Sequence, residues 1–386
     1  MIKVLKKVNY LRKQRNYKNF IDKILKVVDF TPIENKIPEK VEKVTFIIPG
    51  MPLYSGGHTS ILRLGTELSK NGYDVRYFSI YDNESLEEMK SNAEATLSGY
   101  KGTFINGLIE DIETDVVIAT QWDTVYHAKK IDGYKMYFVQ DYEPYFYMFG
   151  EAFIIAQKTY ELGFHMISLG AWNKHMVERE CSIISPIDVI TFPYEGKEYY
   201  DKGRNFDEYP NKKEFNMAVY VKDTGKRAPY ICQHMVKKLQ GDLLKDGITL
   251  NVKYYGESTD FKCDGGKNIG KLTKEELLEL YNNSYFGMVG SLTNISLVPY
   301  EMLATGLPIF EFKEGTFNYF FPKGSALVTS FDYNEFYERR WFASANELKP
   351  TEINFAGNNI IVDPSPKVFR TAKGVCFGVE ICEDVW

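Results

Sequence analysis

The chain has 386 residues, of which 44% are hydrophobic and 26% charged, and its formal net charge at pH 7 is -5. This length favours two domains over a single core, and the composition is typical of a globular protein. The acidic balance argues against a dedicated nucleic-acid binder, because such proteins carry excess positive charge. Aromatic residues make up 15% of the chain, which suits stacking on sugars or bases and equally suits Tyr-rich cores.

The lack of recognisable targeting signals and the spacing of the cysteines predict a cytoplasmic protein. No apolar run approaches the ~20 residues of a membrane span, and the N-terminus lacks the apolar stretch of a signal peptide. The five cysteines show no metal-type spacing before the extreme C-terminus. We therefore predict reduced thiols and no disulfide framework.

Residues 1–42 are predicted to form a basic helical extension. Residues 1–26 contain nine Lys or Arg and one acid, Asp22, with apolar residues interleaved. A basic helix of this kind is typical of peripheral contact with anionic lipid, here at the inner face of the membrane. A solvated helical extension explains the same pattern equally well.

Residues 43–205 are predicted to form a first Rossmann-like domain. Its opening unit is a strand, a loop, a helix and a second parallel strand: VEKVTFIIPG, MPLYSGGHTS, ILRLGTELSKNG and YDVRYFSIY. Further strand-like runs are DVVIAT, KMYFVQ, HMISLG and DVITFPY, and they alternate with the helical stretches GEAFIIAQKTYELG and AWNKHMVERE. This alternation predicts a doubly wound sheet, and a charged, Tyr- and Gly-rich segment then marks the domain boundary.

A second domain of the same kind is predicted over residues 206–340. Its strands and helices alternate as FNMAVYVK, APYICQHMVKKLQGDLL, LNVKYYG, TKEELLELYNN, YFGMVGS and YEMLAT. The fold class is therefore α/β, with two Rossmann-like domains. In such folds ligands bind at the carboxyl ends of the strands, and we expect a cleft between the two halves.

Two loops in this pattern suit an anionic ligand. Gly56 and Gly57 follow the first strand of the first domain and precede a helix, so their amides can meet a phosphate or a sugar oxygen. A tight βα turn explains them equally well. Lys222, Lys226 and Arg227 cluster at the corresponding helix start of the second domain. Three cations there repel the helix dipole unless an anion lies between them, although a solvated basic loop has the same composition.

The segment SLTNISLVPYEMLATGLPIFEF, residues 291–312, supplies a third candidate. Ser296 is predicted to cap a short helix that ends at Gly306, and Pro299 is tolerated in its first turn. The amides of that turn can also bind an anion. Glu301 on the first turn can accept a pair of ribose hydroxyls, while a solvated Glu on an apolar helix is the alternative interpretation.

Together these segments resemble the GT-B nucleotide-sugar glycosyltransferases of glycosyltransferase family 4, over residues 43–335. The segments that carry the resemblance are SGGHTSILRLGTELSKNGYDV, YFVQDYEPYFY, YVKDTGKRAP and GSLTNISLVPYEMLATGLPIFEF. Within the family, the Tyr-rich FVQDYEPYF and TNISLVPYEMLATGLP are most similar to bacterial rhamnosyltransferases that use dTDP-rhamnose to build surface glycans.

The resemblance implies roles for the donor-site residues. Glu301 matches the second Glu of the family's E-x(7)-E motif, which holds the nucleotide ribose. Thr293, followed by Asn294, replaces the first Glu, and this neutral pair suggests a donor such as a 6-deoxyhexose. Other residues complete the implied donor site: Gly56, Gly57, Ser296 and Tyr300, the diphosphate cations Lys222, Lys226 and Arg227, and the base-pocket residues Ile269 and Gly270.

The resemblance also implies a metal-free, retaining transfer without a cofactor. No convincing D-x-D is present, the nearest being Asp141-Tyr142-Glu143, so fixed cations and helix amides would offset charge on the leaving diphosphate. Arg227 and Glu301 belong to the implied catalytic set, with Asp141 as an acceptor-side contact or base. A structural loop is an equal interpretation of Asp141. The acceptor, a glycan or lipid-linked glycan, would contact Tyr142, Glu143 and Tyr145, with Phe146 and Tyr147 beside them.

Residues 341–386 depart from this pattern. The segment GVCFGVEICEDVW resembles the nucleophile strand of the nitrilase-like domain of glutamine-dependent NAD synthetases, with Cys382 matching the catalytic cysteine. We interpret this stretch as a fragment, because the rest of such a domain is missing. Two alternative functions follow from the sequence: a non-catalytic nucleotide-sugar or glycan-binding protein, and a cysteine-dependent amidase acting through Cys382.

Overall fold

The chain divides into two compact units, each built on a parallel β-sheet. The computed structural model describes residues 2–81, 83–193, 197–322, 324–338, 352–355 and 358–361. Among these, unit 1 holds residues 2–169 and 173–190, and unit 2 holds residues 170–172 and those from 191 onward.

Unit 1 is a seven-stranded sheet with helices between its strands, in the order β3-β2-β1-β4-β5-β6-β7, and every pairing is parallel. Its elements are α1 (Ile2–Leu25), β1 (Lys43–Ile48), α2 (Gly56–Lys70), β2 (Asp74–Ser79), α3 (Leu86–Thr96), β3 (Thr103–Ile105), β4 (Val116–Ala119), α4 (Trp122–Ala128), β5 (Tyr134–Val139), α5 (Glu151–Lys158), β6 (His165–Leu169), α6 (Ala171–Glu180) and β7 (Ile187–Ile190).

The core of unit 1 lies on both sides of this sheet. Phe46 and Ile47, successive residues of β1 on opposite faces, are both fully buried. Helix α2 lies close to the sheet at Gly65, where a Cβ would come within 2.1 Å of the Tyr77 hydroxyl oxygen. That hydroxyl donates to the Lys101 backbone oxygen at 3.0 Å. A side chain at position 65 would therefore push the helix off the strand.

The predicted basic extension belongs to unit 1 and is helical over Ile2–Leu25, whereas its remainder up to residue 42 forms no helix. After α1 the chain runs along the unit, where the Ile33 amide donates to the Leu162 oxygen at 2.9 Å. Asn35 exchanges hydrogen bonds of 2.8 Å with the backbone of Lys135. No helix among the described residues is both long enough and apolar enough to cross a bilayer.

Unit 2 is a six-stranded parallel sheet in the order β10-β9-β8-β11-β12-β13. Its elements are β8 (Glu214–Tyr220), α7 (Pro229–Lys245), β9 (Thr249–Tyr255), β10 (Lys267–Asn268), α8 (Lys274–Asn282), β11 (Phe286–Met288), α9 (Leu297–Ala304), β12 (Ile309–Phe312), β13 (Leu327–Thr329) and α10 (Tyr333–Glu338). A separate antiparallel pair follows, β14 (Glu352–Phe355) with β15 (Asn358–Ile361).

The core of unit 2 includes residues of β8 and α7 that pack on one another. Phe215, Met217 and Val219 alternate along β8 and are buried, as expected for one face of a strand. Val236 and Leu239 face them from α7 at helical spacing. The apolar residues whose periodicity predicted these two elements are thus the residues that pack against each other in the core.

The predicted fold class is confirmed, and each strand and helix named from the sequence is present. The segment before residue 205, however, contacts unit 2 rather than unit 1. Arg204 donates from Nη2 to the Tyr281 backbone oxygen at 2.8 Å, and the Tyr199 and Tyr281 rings lie 5.9 Å apart. The units therefore divide after Ile190. Cys382 lies outside the described residues, as does most of the segment from 341 to 386.

Candidate functional site

The loop after β8 presents a buried cation at the carboxyl edge of unit 2. Residues 225–227 form a 3₁₀ turn, Ala228 adopts the left-handed conformation at φ 45°, and Pro229 begins α7. This bend buries the side chain of Arg227, which is only 6% exposed. Its Nη2 donates to the Asn294 backbone oxygen at 3.2 Å, whereas Nη1 is buried without a hydrogen-bond partner among the described residues. A buried guanidinium N–H of this kind needs an acceptor.

The loop after β11 lies directly against the same turn. A Cβ on Gly290 would come within 2.6 Å of the Arg227 backbone oxygen, so only glycine permits this approach. The Leu292 amide donates to the Lys226 oxygen at 3.1 Å. Since β8 and β11 are neighbours in the sheet, their two loops form one surface at the carboxyl edge.

Helix α9 begins on this surface with Ser296 as its N-cap, as predicted. Ser296 has extended backbone angles, φ -112° and ψ 177°, but its side chain makes no capping hydrogen bond. Its Oγ is buried without a partner among the described residues. Leu297 and Val298 supply the amides of the first helical turn, since Pro299 has none; these amides lack partners within the helix and carry its positive dipole end. Ser296 Oγ and the α9 amides are therefore available to an anion.

Glu301 is hydrogen-bonded to one buried tyrosine, which is itself paired with a second. The Tyr281 hydroxyl donates to Glu301 Oε2 at 3.4 Å, and the Tyr255 and Tyr281 hydroxyls are 2.9 Å apart. Burial raises the pKa of Tyr220, which Arg227 opposes and Glu301 reinforces. Both charges therefore act electrostatically on Tyr220. Glu301 is partly buried, and a carboxylate can accept several hydrogen bonds, including those from hydroxyl donors.

Lys222 adds a second cation to this edge. Burial lowers its pKa; neighbouring Glu257 opposes that shift, and Lys271 and Arg227 add to it. Positive charge is therefore concentrated here, and a bound anion would relieve the repulsion.

A buried acid that the sequence analysis did not single out lies beneath the cations. Glu311 on β12 is fully buried, and its two carboxyl oxygens accept from the Ser291 hydroxyl at 2.7 Å and the Ser291 amide at 3.2 Å. Burial raises its pKa to about 8, although Arg227 lowers it in part. A carboxyl that is mostly neutral at pH 7 leaves the charge of Arg227 for a ligand. An acid within the apolar run IFEF was the available signal in the sequence.

The remaining predicted donor residues lie around this surface. Thr293 and Asn294 are buried, and the Thr293 oxygen accepts from the Thr316 hydroxyl. The Ile269 amide donates to the Tyr254 oxygen at 2.8 Å, and the Gly270 amide to Asn268 Oδ1 at 3.0 Å. Those two amides are therefore engaged by the protein, and a base would have to use other groups of that loop.

Tyr300, also predicted at the donor site, is packed among aromatic rings of unit 2. Its ring stacks on Phe192 at 5.6 Å between centroids and contacts Phe321 at 4.5 Å. Burial raises its pKa well above the usual value.

In unit 1 the predicted glycine loop lies at the carboxyl edge of the sheet. Gly57 on the first turn of α2 approaches Gln140 after β5, where a Cβ would come within 3.2 Å of Gln140 Oε1. Gly56 is exposed. His58, which the sequence analysis did not single out, places Nδ1 2.9 Å from the Ser55 hydroxyl. Burial lowers its pKa to about 4, partly opposed by a hydrogen bond to the Gly50 backbone, so the ring is neutral at pH 7.

Two of the three predicted acceptor residues are buried inside unit 1. Tyr142 is 0% exposed and receives a hydrogen bond from Gln157 Nε2 at 2.8 Å. Glu143 is 3% exposed, and its Oε2 accepts from the Tyr137 hydroxyl and the Trp122 amide. This corrects their prediction as direct acceptor contacts, since both side chains are already occupied by protein partners.

The third predicted acceptor residue, Tyr145, and the candidate base Asp141 differ in exposure. Asp141 is 5% exposed, and its Oδ1 accepts from the Tyr142 amide at 2.9 Å. That hydrogen bond is what a structural loop would show. Tyr145 is 45% exposed and is the predicted acceptor contact that stands at the surface. In the described part of the chain, no three His, Cys, Asp or Glu side chains group as a metal site.

Three solved structures share this architecture. Sucrose-phosphate synthase from Thermosynechococcus elongatus has a TM-score of 0.59 at 13% identity, covering 80% of this chain and 91% of that one. Anabaena HepE, solved in complex with UDP-glucose, has a TM-score of 0.57 at 10% identity, covering 77% and 88%. WaaG, a glycosyltransferase involved in lipopolysaccharide biosynthesis, has a TM-score of 0.56 at 12% identity, covering 79% and 94%. The chain has the GT-B fold.

Sequence similarity is confined to part of the chain. The O-antigen biosynthesis protein RfbC of Myxococcus xanthus is 33% identical over 140 residues, which is 33% of this chain. The match spans only 11% of that protein's length. No protein-family model matches the chain.

Proposed function

We propose that the protein is a glycosyltransferase that moves a sugar from a nucleoside-diphosphate donor to a glycan acceptor in surface polysaccharide synthesis. The observation that carries this proposal is the buried Arg227, whose Nη1 lacks a partner among the described residues, beside the Ser296 hydroxyl and the α9 N-terminus, within a GT-B fold. Those donors suit a diphosphate. The similarity to an O-antigen biosynthesis protein supports the polysaccharide context.

Charge development during transfer explains what these groups would do. Breaking the glycosidic bond puts positive charge on the anomeric carbon and negative charge on the leaving diphosphate. Arg227, Lys222 and the α9 amides would stabilise that negative charge without a metal ion. Glu301 would accept the ribose hydroxyls, while the leaving phosphate takes the acceptor proton in a retaining mechanism. A 6-deoxyhexose such as rhamnose is the donor sugar we propose, because the neutral Thr293 and Asn294 replace an acid that would bind further hydroxyls.

Calorimetric titration tests the donor site. Purified full-length chain would be titrated with dTDP, UDP and GDP in the presence of EDTA, and then with Mg²⁺. We expect one nucleotide to bind selectively, and Glu301→Ala to weaken its Kd roughly tenfold to a hundredfold, because hydrogen bonds to a charged group contribute about 1.5–3 kcal/mol. Asp246→Ala, an exposed acid at the opposite end of α7, is the matched control.

Nucleotide binding does not by itself establish sugar transfer, so turnover has to be measured separately. Sugar release from dTDP-rhamnose in the presence of glycan acceptors would distinguish an enzyme from a non-catalytic nucleotide-sugar binder. Failure of all three nucleotides to bind would refute the donor site. Binding that requires Mg²⁺ would refute the metal-free mechanism.

A further inference from the structure

Unit 1 has an apolar segment whose side chains are strongly exposed and are not packed in its core. In the apolar loop, residues 145–149, Met148 is 93% exposed and Phe149 is 83% exposed. The Phe149 ring lies 5.3 Å from that of Phe153, and Tyr145 is 6.3 Å from the same ring. The rings therefore form one patch. Contiguous exposed apolar side chains of this kind mark interaction surfaces.

The basic helix α1 is packed beside this loop. The Phe20 ring lies 5.9 Å from the Tyr147 ring, and burial and the neighbouring Glu151 at the start of α5 raise the pKa of Tyr17. The last turns of α1 thus rest on the apolar loop. The cations of α1 whose side chains are described are all exposed: Lys7, Arg12, Lys13, Arg15, Lys18 and Lys23.

The positive charge of α1 and the exposed apolar side chains of the apolar loop together limit which kind of partner can bind this surface. Residues 1–26 carry nine cations and one acid, although the whole chain has a net charge of -5. A polyanion such as nucleic acid would explain the cations but not the exposed Met148 and Phe149. A second copy packed symmetrically would bring two copies of the same cationic surface together. An anionic bilayer offers negative headgroups and an apolar layer a few ångströms below them.

We infer that α1 and the apolar loop form one surface that binds an anionic lipid bilayer. The cations of α1 lie among the headgroups, and Met148 and Phe149 enter the acyl boundary. This surface differs from a basic helix alone, because the apolar loop adds a contact with the bilayer that salt does not screen. The inference does not depend on the proposed transfer reaction.

Vesicle co-sedimentation tests this surface with the full chain. The probes are phosphatidylcholine vesicles with and without phosphatidylglycerol, at low and high salt. We expect the chain to partition onto the phosphatidylglycerol vesicles, and Met148→Ser with Phe149→Ser to weaken partitioning at least tenfold. The triple change Arg12→Gln, Lys13→Gln and Arg15→Gln should weaken it at low salt. Leu108→Ser and Leu244→Ser are matched controls, since each leucine is 67% exposed outside the surface.

Several outcomes would overturn the inference. They are absence of partitioning onto phosphatidylglycerol vesicles, equal partitioning of the wild type and the serine variant, and self-association in sedimentation that the serine variant abolishes. Preserved binding of a labelled DNA duplex by the serine variant, with no vesicle binding by either protein, would assign α1 to a polyanion instead. Unchanged melting temperatures would show that the variants remain folded.

Discussion

Arg227 Nη2 donates to the backbone oxygen of Asn294 at 3.2 Å, so one hydrogen bond joins the loop after β8 to the loop after β11. The amide of Leu292 donates back to the oxygen of Lys226 at 3.1 Å. The guanidinium is therefore held in place by the protein, with Nη1 left for a ligand. A donor that is already positioned loses little conformational freedom on binding, which favours affinity.

Replacing Arg227 should affect diphosphate binding far more than nucleoside binding. We expect Arg227→Ala to weaken the Kd for the preferred nucleoside diphosphate at least tenfold, and Arg227→Lys to restore only part of the loss, because an ammonium lacks the planar fork. The matching nucleoside without phosphates should bind both variants like the wild type. Calorimetry measures both ligands. An equal loss for nucleoside and diphosphate would mean a folding defect rather than a lost phosphate contact.

Replacing Ser296 should separate ligand binding from helix capping. Because the Ser296 side chain makes no capping hydrogen bond, Ser296→Ala should leave the melting temperature nearly unchanged while weakening diphosphate binding about threefold to tenfold. Thr273 is the contrast, since its side chain accepts from the Glu276 amide in a capping box on α8. Thr273→Ala should lower stability by about 1 kcal/mol. A clear stability loss in Ser296→Ala would contradict the role as a ligand donor.

Local patterns in the sequence were sufficient to predict the long helices and strands and the sheet edge at which the site lies. The alternating apolar residues of β8 and the helical spacing of α7 are each repeated several times, and both elements are present with bounds close to those predicted. The N-cap at Ser296 and the cations near Arg227 were also identified, since caps and charge clusters are local features. They then meet because βα loops of a parallel sheet share one edge.

What the sequence did not predict depends on contacts that are distant along the chain. Strands β10 and β13 have two and three residues, too few to show periodicity, and exist because neighbouring strands pair with them. For Glu311 the apolar run IFEF is a local signal of burial, but the burial of Glu143 depends on groups from other elements and has none. The same holds for Arg204, whose hydrogen bonds to the far-off Tyr281 and Thr305 assign its segment to unit 2.

The two buried carboxyls should make stability depend on pH. The pKa of Glu311 is raised by burial from 4.5 to about 8, and that of Glu143 in the same way. Between these values the unfolded chain has lost the proton that the folded chain keeps, so stability is greatest below about pH 4.5 for these groups and falls as pH rises towards 8. Each pKa unit corresponds to about 1.4 kcal/mol, so the two groups together amount to several kcal/mol as an upper limit.

Neutral replacements of these carboxyls test that pH dependence. Glu311→Gln and Glu143→Gln cannot ionise, and each should reduce the fall in melting temperature between pH 5 and pH 8. Glu208→Gln, an exposed acid, is the control. Thermal melts at several pH values measure the effect. Variants that lose stability with pH as steeply as the wild type would contradict a neutral state of these carboxyls.

Gly290 and Gly241 of unit 2 provide a matched pair of variants that tests whether the close contact between the two loops positions Arg227. A Cβ on Gly290 would lie 2.6 Å from the Arg227 oxygen and 2.9 Å from its carbonyl carbon, and backbone atoms cannot yield as a flexible side chain can. Gly290→Ala should therefore separate the two loops, lower the melting temperature and weaken nucleotide binding. A Cβ on Gly241 in α7 would meet no atom within 4 Å beyond its own helix backbone. Gly241→Ala should instead raise stability by up to about 1 kcal/mol, because alanine favours the helix. If Gly290→Ala bound nucleotide as tightly as the wild type, the approach of the loops would not be what positions Arg227.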